Sequence, residues 1–450
     1  MASPTSAALA LSLLLVAWAA AMRLAHGTWL NPSAFFALWW CVAGILPLIA
    51  TPEDPVSPGA ILFIFAACIS VSAGAAIGNG GLKTTLSIDR PFPSHFELKT
   101  LKILMIISLI GGMVSNIAFA VASGVALREL FDIQNLVIVS NQLYVARYAG
   151  VDTVVPPPPP LSQAFLPFVF LAPALGGLVF VLSRRKLAKL LALASMAPAI
   201  AVTILQNTKA AVLFSGILWA SAYFATRLRL GRTAVFTKVH TTVAVGLGAV
   251  VTVFFIFIGL ARLASTDLGL LDVVRIKLFT AAFGHMTVFS RWLGDYWSNP
   301  NYSPTLGGYT LGGPLEMLGI RTRLPGIFVD FVELAIGDTS NIHTAFRFLI
   351  EDFTIPGALA ALGIVGLIGG ISFRLVSAGR WAAVPVLMGT YATIMWTPIA
   401  WFWVYNSLTA TVAGLALLLF LLRTLRVSRA LRVPLSKKLG GRHSEPLEIG

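Results

Sequence analysis

Apolar runs free of Asp, Glu, Lys and Arg recur along nearly the whole chain. They fall at roughly 5–21, 29–50, 59–78, 103–126, 161–182, 190–206, 210–226, 241–261, 356–373, 381–397 and 401–422. A helix crossing the hydrocarbon core takes about 20 such residues. The pattern therefore predicts an all-α polytopic membrane protein with about 11 transmembrane helices. Two long segments interrupt it, 127–160 and 262–355. Residues 1–261 then hold eight spans, 356–422 hold three, and 423–450 form a basic tail.

Composition sharpens this picture. The 450 residues are 57% hydrophobic and only 11% charged, where a soluble domain carries about 25% charged residues. Lipid has to cover most of the outside, and disorder or a disulfide scaffold is excluded. Cys41 and Cys68 lie inside apolar runs and read as small packing residues. No positive charge precedes the first run, so it reads as a retained span rather than a secretory signal.

The net charge of +14 is a matter of sides. Basic clusters at Arg184-Arg185-Lys186 and at Arg227, Arg229, Arg232 and Lys238 share one side only if the chain crosses twice between them. Lys209 then sits at the far turn. The positive-inside rule places those clusters in the cytoplasm, the N-terminus outside and the C-terminus inside. Cytoplasmic segments hold 22 basic and 4 acidic residues, and external segments hold 10 and 14. The basic balance orients the chain and attracts anionic headgroups, so no nucleic-acid partner is called for.

In segment 127–160, the run Pro156–Pro160 predicts a stiff polyproline spacer. In 262–355, Asp267 to Trp297 predicts a helix lying in the membrane interface. A turn-rich stretch from Pro300 to Pro314 follows, then a second helix from Ser340 to Phe353 that ends at Ile355-Pro356. Trp396, Trp401, Trp403 and Tyr405 read first as an interfacial aromatic belt. His285 reads as a packed histidine. His26, His95, His240 and His443 fall on the cytoplasmic side without metal-ligand spacing.

No apolar run carries Asp, Glu, Lys or Arg, and that weakens an ion-coupled transporter. The external face instead collects Lys209, Arg262, Arg275, Lys277, Arg291, Arg321, Arg323 and Arg347, suited to an anion at headgroup level. Arg fits a diphosphate because its planar fork makes bidentate, charge-assisted bonds. On a helical wheel Ser340, His343, Thr344, Arg347 and Glu351 share one arc. His343 with a nearby carboxylate has the composition of a base for a sugar hydroxyl, and equally that of surface i,i+4 pairs. Asp352 reads equally as a helix N-cap, and Arg291 with Asp295 as another i,i+4 pair. No phosphate loop, nucleophile elbow or nucleotide fingerprint is present.

Three stretches carry a resemblance. They are Leu205-Gln206-Asn207-Thr208-Lys209 running on to Leu213, Ser290-Arg291-Trp292 followed by Pro304 to Tyr309, and Ser340-Asn341-Ile342-His343-Thr344 with Asp352-Phe353 and Pro356-Gly357. In order and spacing the chain resembles the Wzy-type O-antigen polymerases, with more distant similarity to O-antigen ligases. The resemblance implies a GT-C-like membrane glycosyltransferase of the bacterial inner membrane with a large helical periplasmic loop. It joins undecaprenyl-diphosphate-linked repeat units at the periplasmic face, with no metal or other cofactor. A chain-length-determining co-polymerase and a flippase are its implied partners. Diphosphate binding would fall on Lys209 and Arg291, joined by Arg347. His343, Glu351 and Asp352 are the candidate bases, and Asn341, Thr344 and Tyr309 candidate sugar contacts. The chain departs from the pattern in three places. Ser340 stands where ligases carry His, His343 where polymerases carry Tyr, and Thr354 where Gly follows Asp-Phe. A ligase acting on lipid A core, or a lipid-linked oligosaccharide flippase, is the alternative.

Overall fold

A computed structural model describes residues 4–80, 95–125, 128, 132, 135, 137–142, 159–235, 238–263, 267–299, 303–321 and 328–431. Pro156–Pro158, Arg147, Pro300, Arg323, the His443 region and the tail from 432 onward lie outside the described residues. Helix dominates. In order the helices are α1 (Pro4–His26), α2 (Pro32–Ala50), α3 (Pro58–Asn79), α4 (His95–Ala122), α5 (Pro160–Leu182), α6 (Lys186–Ala194) and α7 (Ala197–Leu205). They continue as α8 (Ala210–Arg229), α9 (Lys238–Arg262), α10 (Leu271–Ser298), α11 (Gly312–Met317), α12 (Thr344–Ser377), α13 (Val384–Trp396) and α14 (Asn406–Leu431). One antiparallel strand pair, β1 (Val332–Glu333) and β2 (Thr339–Ser340), lies just before α12.

Among the described residues eight helical segments are long and apolar enough to cross a membrane. Three shorter apolar helices accompany them, Val251–Arg262, Trp381–Trp396 and Asn406–Leu422. The chain is an all-α polytopic membrane protein. Its tightest helix pair is α3 with α12. A Cβ on Gly74, Gly78, Gly366 or Gly370 would stand 1.9–2.3 Å from a backbone carbonyl oxygen of the facing helix. Small residues let backbones approach where lipid supplies no hydrophobic drive between helices.

Several expectations change. The run 190–206 is two helices, because Pro198 at the start of α7 cannot continue α6. The Ala192 carbonyl at that break accepts from Ser195 Oγ at 2.7 Å and Trp219 Nε1 at 3.2 Å. The Asp267–Trp297 stretch is helical as α10 from Leu271, and its buried middle, Gly284 to Ser290, packs on the bundle. Ser57 N donates to Ser290 Oγ at 2.7 Å, and His285 Nε2 sits 3.0 Å from the Ala43 carbonyl. The second external helix begins at Thr344, with Ser340 in β2. It ends at Thr354, whose backbone leaves helical φ/ψ, and a second helix containing Pro356 follows across the kink, so the boundary expected beside Ile355-Pro356 is where the structure has it. Trp396 and Trp401 form no belt; both are buried, and Phe214 stacks on Trp396 at 3.9 Å. The segment read as a tail starts as helix, to Leu431. Cys41 and Cys68 are free thiols.

Two ends follow from this packing. At one, Ala345 N at the start of α12 donates to the Thr397 carbonyl just past α13 at 2.7 Å. Asp54 Oδ1 there accepts from Ala335 N at 2.7 Å. At the other, Arg229 lies over Trp381 at 5.0 Å and against Gly379. Arg184, Arg185 and Lys186 lie between α5 and α6, and Arg374 in the last turns of α12. Residues 335–345 of the segment 262–355 lie at the first end.

Candidate active site at the start of α12

Helix α12 opens with Thr344 at φ 64°, and its first turns bury Ala345 to Asp352. This short first half ends at Thr354, with φ 61° and ψ 176°. The break leaves carbonyls without intrahelical donors, and the 303–310 turn supplies them. Thr305 N donates to the Glu351 carbonyl and Leu306 N to the Asp352 carbonyl, each at 3.1 Å. The Asp352 carboxylate, fully buried, accepts from Tyr309 N at 3.0 Å, Thr310 N at 2.6 Å and Thr305 Oγ1. Asp352 therefore clamps the turn to α12, instead of capping the helix that contains Pro356.

Arg347 is the centre of the cluster. Its Nε donates to Glu351 Oε1 at 3.2 Å, and its Nη1 bonds Asp330 Oδ2 and lies 2.9 Å from His343 Nε2. The guanidinium lies on the Phe328 ring, centroid distance 3.7 Å, and 5.3 Å from the Trp292 ring. Flat aromatic contact and a fork of carboxylates are the two surroundings that suit a guanidinium and not an ammonium. Nη2 bonds no described residue. His343, Arg347 and Glu351 are thus i,i+4 neighbours as the wheel suggested, but all three are buried.

Protonation follows from the neighbours. Burial and the Arg347 charge push His343 down to about 4, so the ring is neutral near pH 7. Nε2 faces two groups, Arg347 Nη1 at 2.9 Å and the Asp330 carbonyl oxygen at 3.2 Å, and the tautomer decides whether it accepts from the first or donates to the second. Among the described residues Nδ1 is buried without a hydrogen-bond partner. Burial raises Asp330, but the bond and charge of Arg347 outweigh it and hold the carboxyl below its ordinary range. Tyr309 is raised by burial and then by nearby Glu351.

The other predicted residues take distinct places. Asn341 Nδ2 donates to the Phe328 carbonyl at 2.9 Å and so holds the ring under Arg347. Thr344 Oγ1 accepts from Phe346 N at 3.3 Å, inside the helix start. The Tyr309 ring packs on Phe328 at 5.3 Å. Arg291 is exposed beside Trp292, and it forms no ion pair with Asp295. Arg321 Nη1 presses on Gly308, at 2.3 Å from where a Cβ would stand, and its charge reaches Tyr309.

Lys209 stands elsewhere. Its Nζ lies 5.7 Å from the Phe255 ring, and burial followed by the Arg262 charge lowers it to about 8. Arg262 donates from Nε and Nη2 to the Asn207 carbonyl at 3.1 and 2.8 Å. Asn207 is fully buried at φ 48°, and both its side-chain polar atoms lack partners among the described residues. Near Arg262, Gly259 packs against Val274 at the start of α10. Arg291 lies 17 residues after Val274, about 25 Å along the helix. Lys209 and Arg291 therefore stand toward opposite ends of α10, and one diphosphate does not bridge them in this arrangement.

Asp330 and Phe328 were missed by sequence reasoning. No spacing marks Asp330 as Arg347's partner, because the two meet only when the 328–343 hairpin folds back on α12. Among the described residues no group of three His, Cys, Asp or Glu is arranged to hold a metal ion. No family model matches the chain, and no curated protein or solved structure matches it either.

Proposed function

We propose that the chain is a GT-C-like membrane glycosyltransferase with about 11 spans that polymerises undecaprenyl-diphosphate-linked repeat units at the periplasmic face of the bacterial inner membrane. The observation that carries this reading is the convergence of His343, Asp330 and Glu351 on Arg347, between two aromatic rings, at the loop end of the bundle. A mixture of aromatic faces, a carboxylate and fixed cations suits carbohydrate and diphosphate chemistry.

In the proposed reaction, the bond from the anomeric carbon of the growing chain to its diphosphate breaks. A hydroxyl of the incoming lipid-linked unit forms the new glycosidic bond. Its proton passes to Glu351, which Arg347 holds in place, and the lipid diphosphate leaves with the electron pair. Arg291, Arg321 and Arg347 stabilise the growing negative charge. Asp352 is committed to the 303–310 turn and His343 faces Arg347, so Glu351 is the better base. The Lys209–Arg262 pair forms a second cation group. Polymerisation has two lipid diphosphates on the enzyme at once, and two cation groups suit that better than they suit a ligase. The break at Thr354 also fits the resemblance, since its backbone lies in a region ordinarily entered only by glycine, and Gly is what the pattern carries there.

The test is complementation of a deletion strain. Wild type should restore long surface polysaccharide, whereas Arg291→Ala and Glu351→Gln should insert normally and leave single-repeat glycan attached. Complete absence of attached glycan would instead indicate a ligase, and intermediates trapped inside a flippase. Wild-type polymer lengths in both variants would sink the site assignment.

A further inference from the structure

The segment Leu311–Ile320 has an unusual surface. Leu311, Met317, Leu318 and Ile320 are 48%, 51%, 72% and 69% exposed, and Leu306 just before them is exposed as well. The segment is well ordered internally. Gly319 at φ 68° ends α11, Ile320 N donates to the Leu315 carbonyl and Gly319 N to the Glu316 carbonyl, each at 3.0 Å. That is the Schellman pattern, in which the last helical carbonyls are satisfied by the chain itself. Met317, Leu318 and Ile320 thus project from a rigid knob whose backbone makes few demands on water.

Its position names the occupant. Gly312 packs on Val404, and a Cβ on Gly313 would meet the Trp403 carbonyl oxygen at 2.6 Å and Asn406 N at 3.0 Å. Asn406 is the first residue of α14, so the knob abuts the point where an apolar helix enters the bilayer. An exposed apolar cluster beside a membrane entry has lipid as its natural cover. We propose that Leu311–Ile320 is an interfacial anchor whose apolar side chains sit in the phospholipid surface around α14. The anchor is continuous with the 303–310 turn held by Asp352. It therefore fixes that turn, and Arg347 behind it, at headgroup height. This inference is independent of the reaction proposed above.

The experiment uses the full chain in vesicles of phosphatidylethanolamine and phosphatidylglycerol containing no polyprenyl lipid. With Cys41 and Cys68 replaced by Ala, Leu318→Cys carries a bimane fluorophore, and Ile320→Cys serves as an independent second position. Glu333→Cys, exposed on β1, is the reference. Nitroxide-labelled phospholipid is expected to quench positions 318 and 320 at least twofold more than position 333, with aqueous iodide showing the reverse order. Equal or stronger iodide quenching at 318 and 320 overturns the proposal. Protection from both quenchers also overturns it, because protein would then cover the knob.

Discussion

The guanidinium carbon of Arg347 stands 3.7 Å from the centroid of the Phe328 ring, while two carboxylates, Asp330 and Glu351, hold its edge. Arg347→Ala leaves Glu351 buried without its cation and should destabilise the fold by about 3 kcal/mol. Arg347→Lys keeps the charge but loses the fork and the flat contact, for about 1–2 kcal/mol. Thermal unfolding of the purified protein orders the three, wild type above Lys above Ala. An Ala variant as stable as wild type would refute the picture of Arg347 as the keystone of this cluster.

His343 gives the cluster an acid limit. Its folded value of about 4 lies below the ordinary 6.5, so between these values the unfolded chain binds more protons. Stability from this group is complete above about pH 6.5 and is lost as pH falls toward 4, on the order of 3 kcal/mol in all. His343→Gln should flatten the pH dependence of the melting temperature across that window. An unchanged slope would assign the acid sensitivity to other groups.

Lys209 sets an alkaline limit. Near pH 7 its ammonium is charged, but with a value of about 8 it loses that charge about two units earlier than a free lysine. Polymerisation in membranes should fall above about pH 8. Lys209→Arg, which stays charged, should extend the plateau upward. A parallel decline in both proteins would free Lys209 of a charge-dependent role.

The long apolar helices were legible in the sequence because lipid imposes a long apolar run on each crossing helix. Arg347, Glu351 and His343 were legible because helical spacing is a local property. Asp330 and Phe328 were not, since they reach Arg347 only through the return of a hairpin. The burial of Trp396 and Trp401 was equally hidden. An aromatic pair at a span end has the same composition whether it faces lipid headgroups or packs under α8. The helix start was misplaced to Ser340 because β2 pairing with Val332 takes that residue out of the helical pattern.

Thr354 carries strain that substitution should relieve. A β-branched residue at φ 61° and ψ 176° costs about 1–3 kcal/mol, and glycine enters that region freely at about 1 kcal/mol of chain entropy. Thr354→Gly should therefore raise stability by about 1 kcal/mol and leave polymer length unchanged. A lower melting temperature would show that contacts of the Thr side chain outweigh the backbone term.

Glu351 and Asp352 are adjacent acids with different work, and matched amides separate them. Asp352 accepts two backbone N–H bonds and a hydroxyl in full burial. Asp352→Asn puts an NH2 where an acceptor is needed and should cost about 2 kcal/mol, lowering activity only as far as the turn loosens. Glu351→Gln still accepts the Arg347 Nε bond through its amide oxygen, so its melting temperature should shift little. It has no carboxylate to take a proton, so polymer should disappear. Measuring both variants for melting temperature and glycan length gives two independent axes. Should Asp352→Asn abolish polymer at an unchanged melting temperature, and Glu351→Gln retain it, the proton acceptor is Asp352 and the roles exchange.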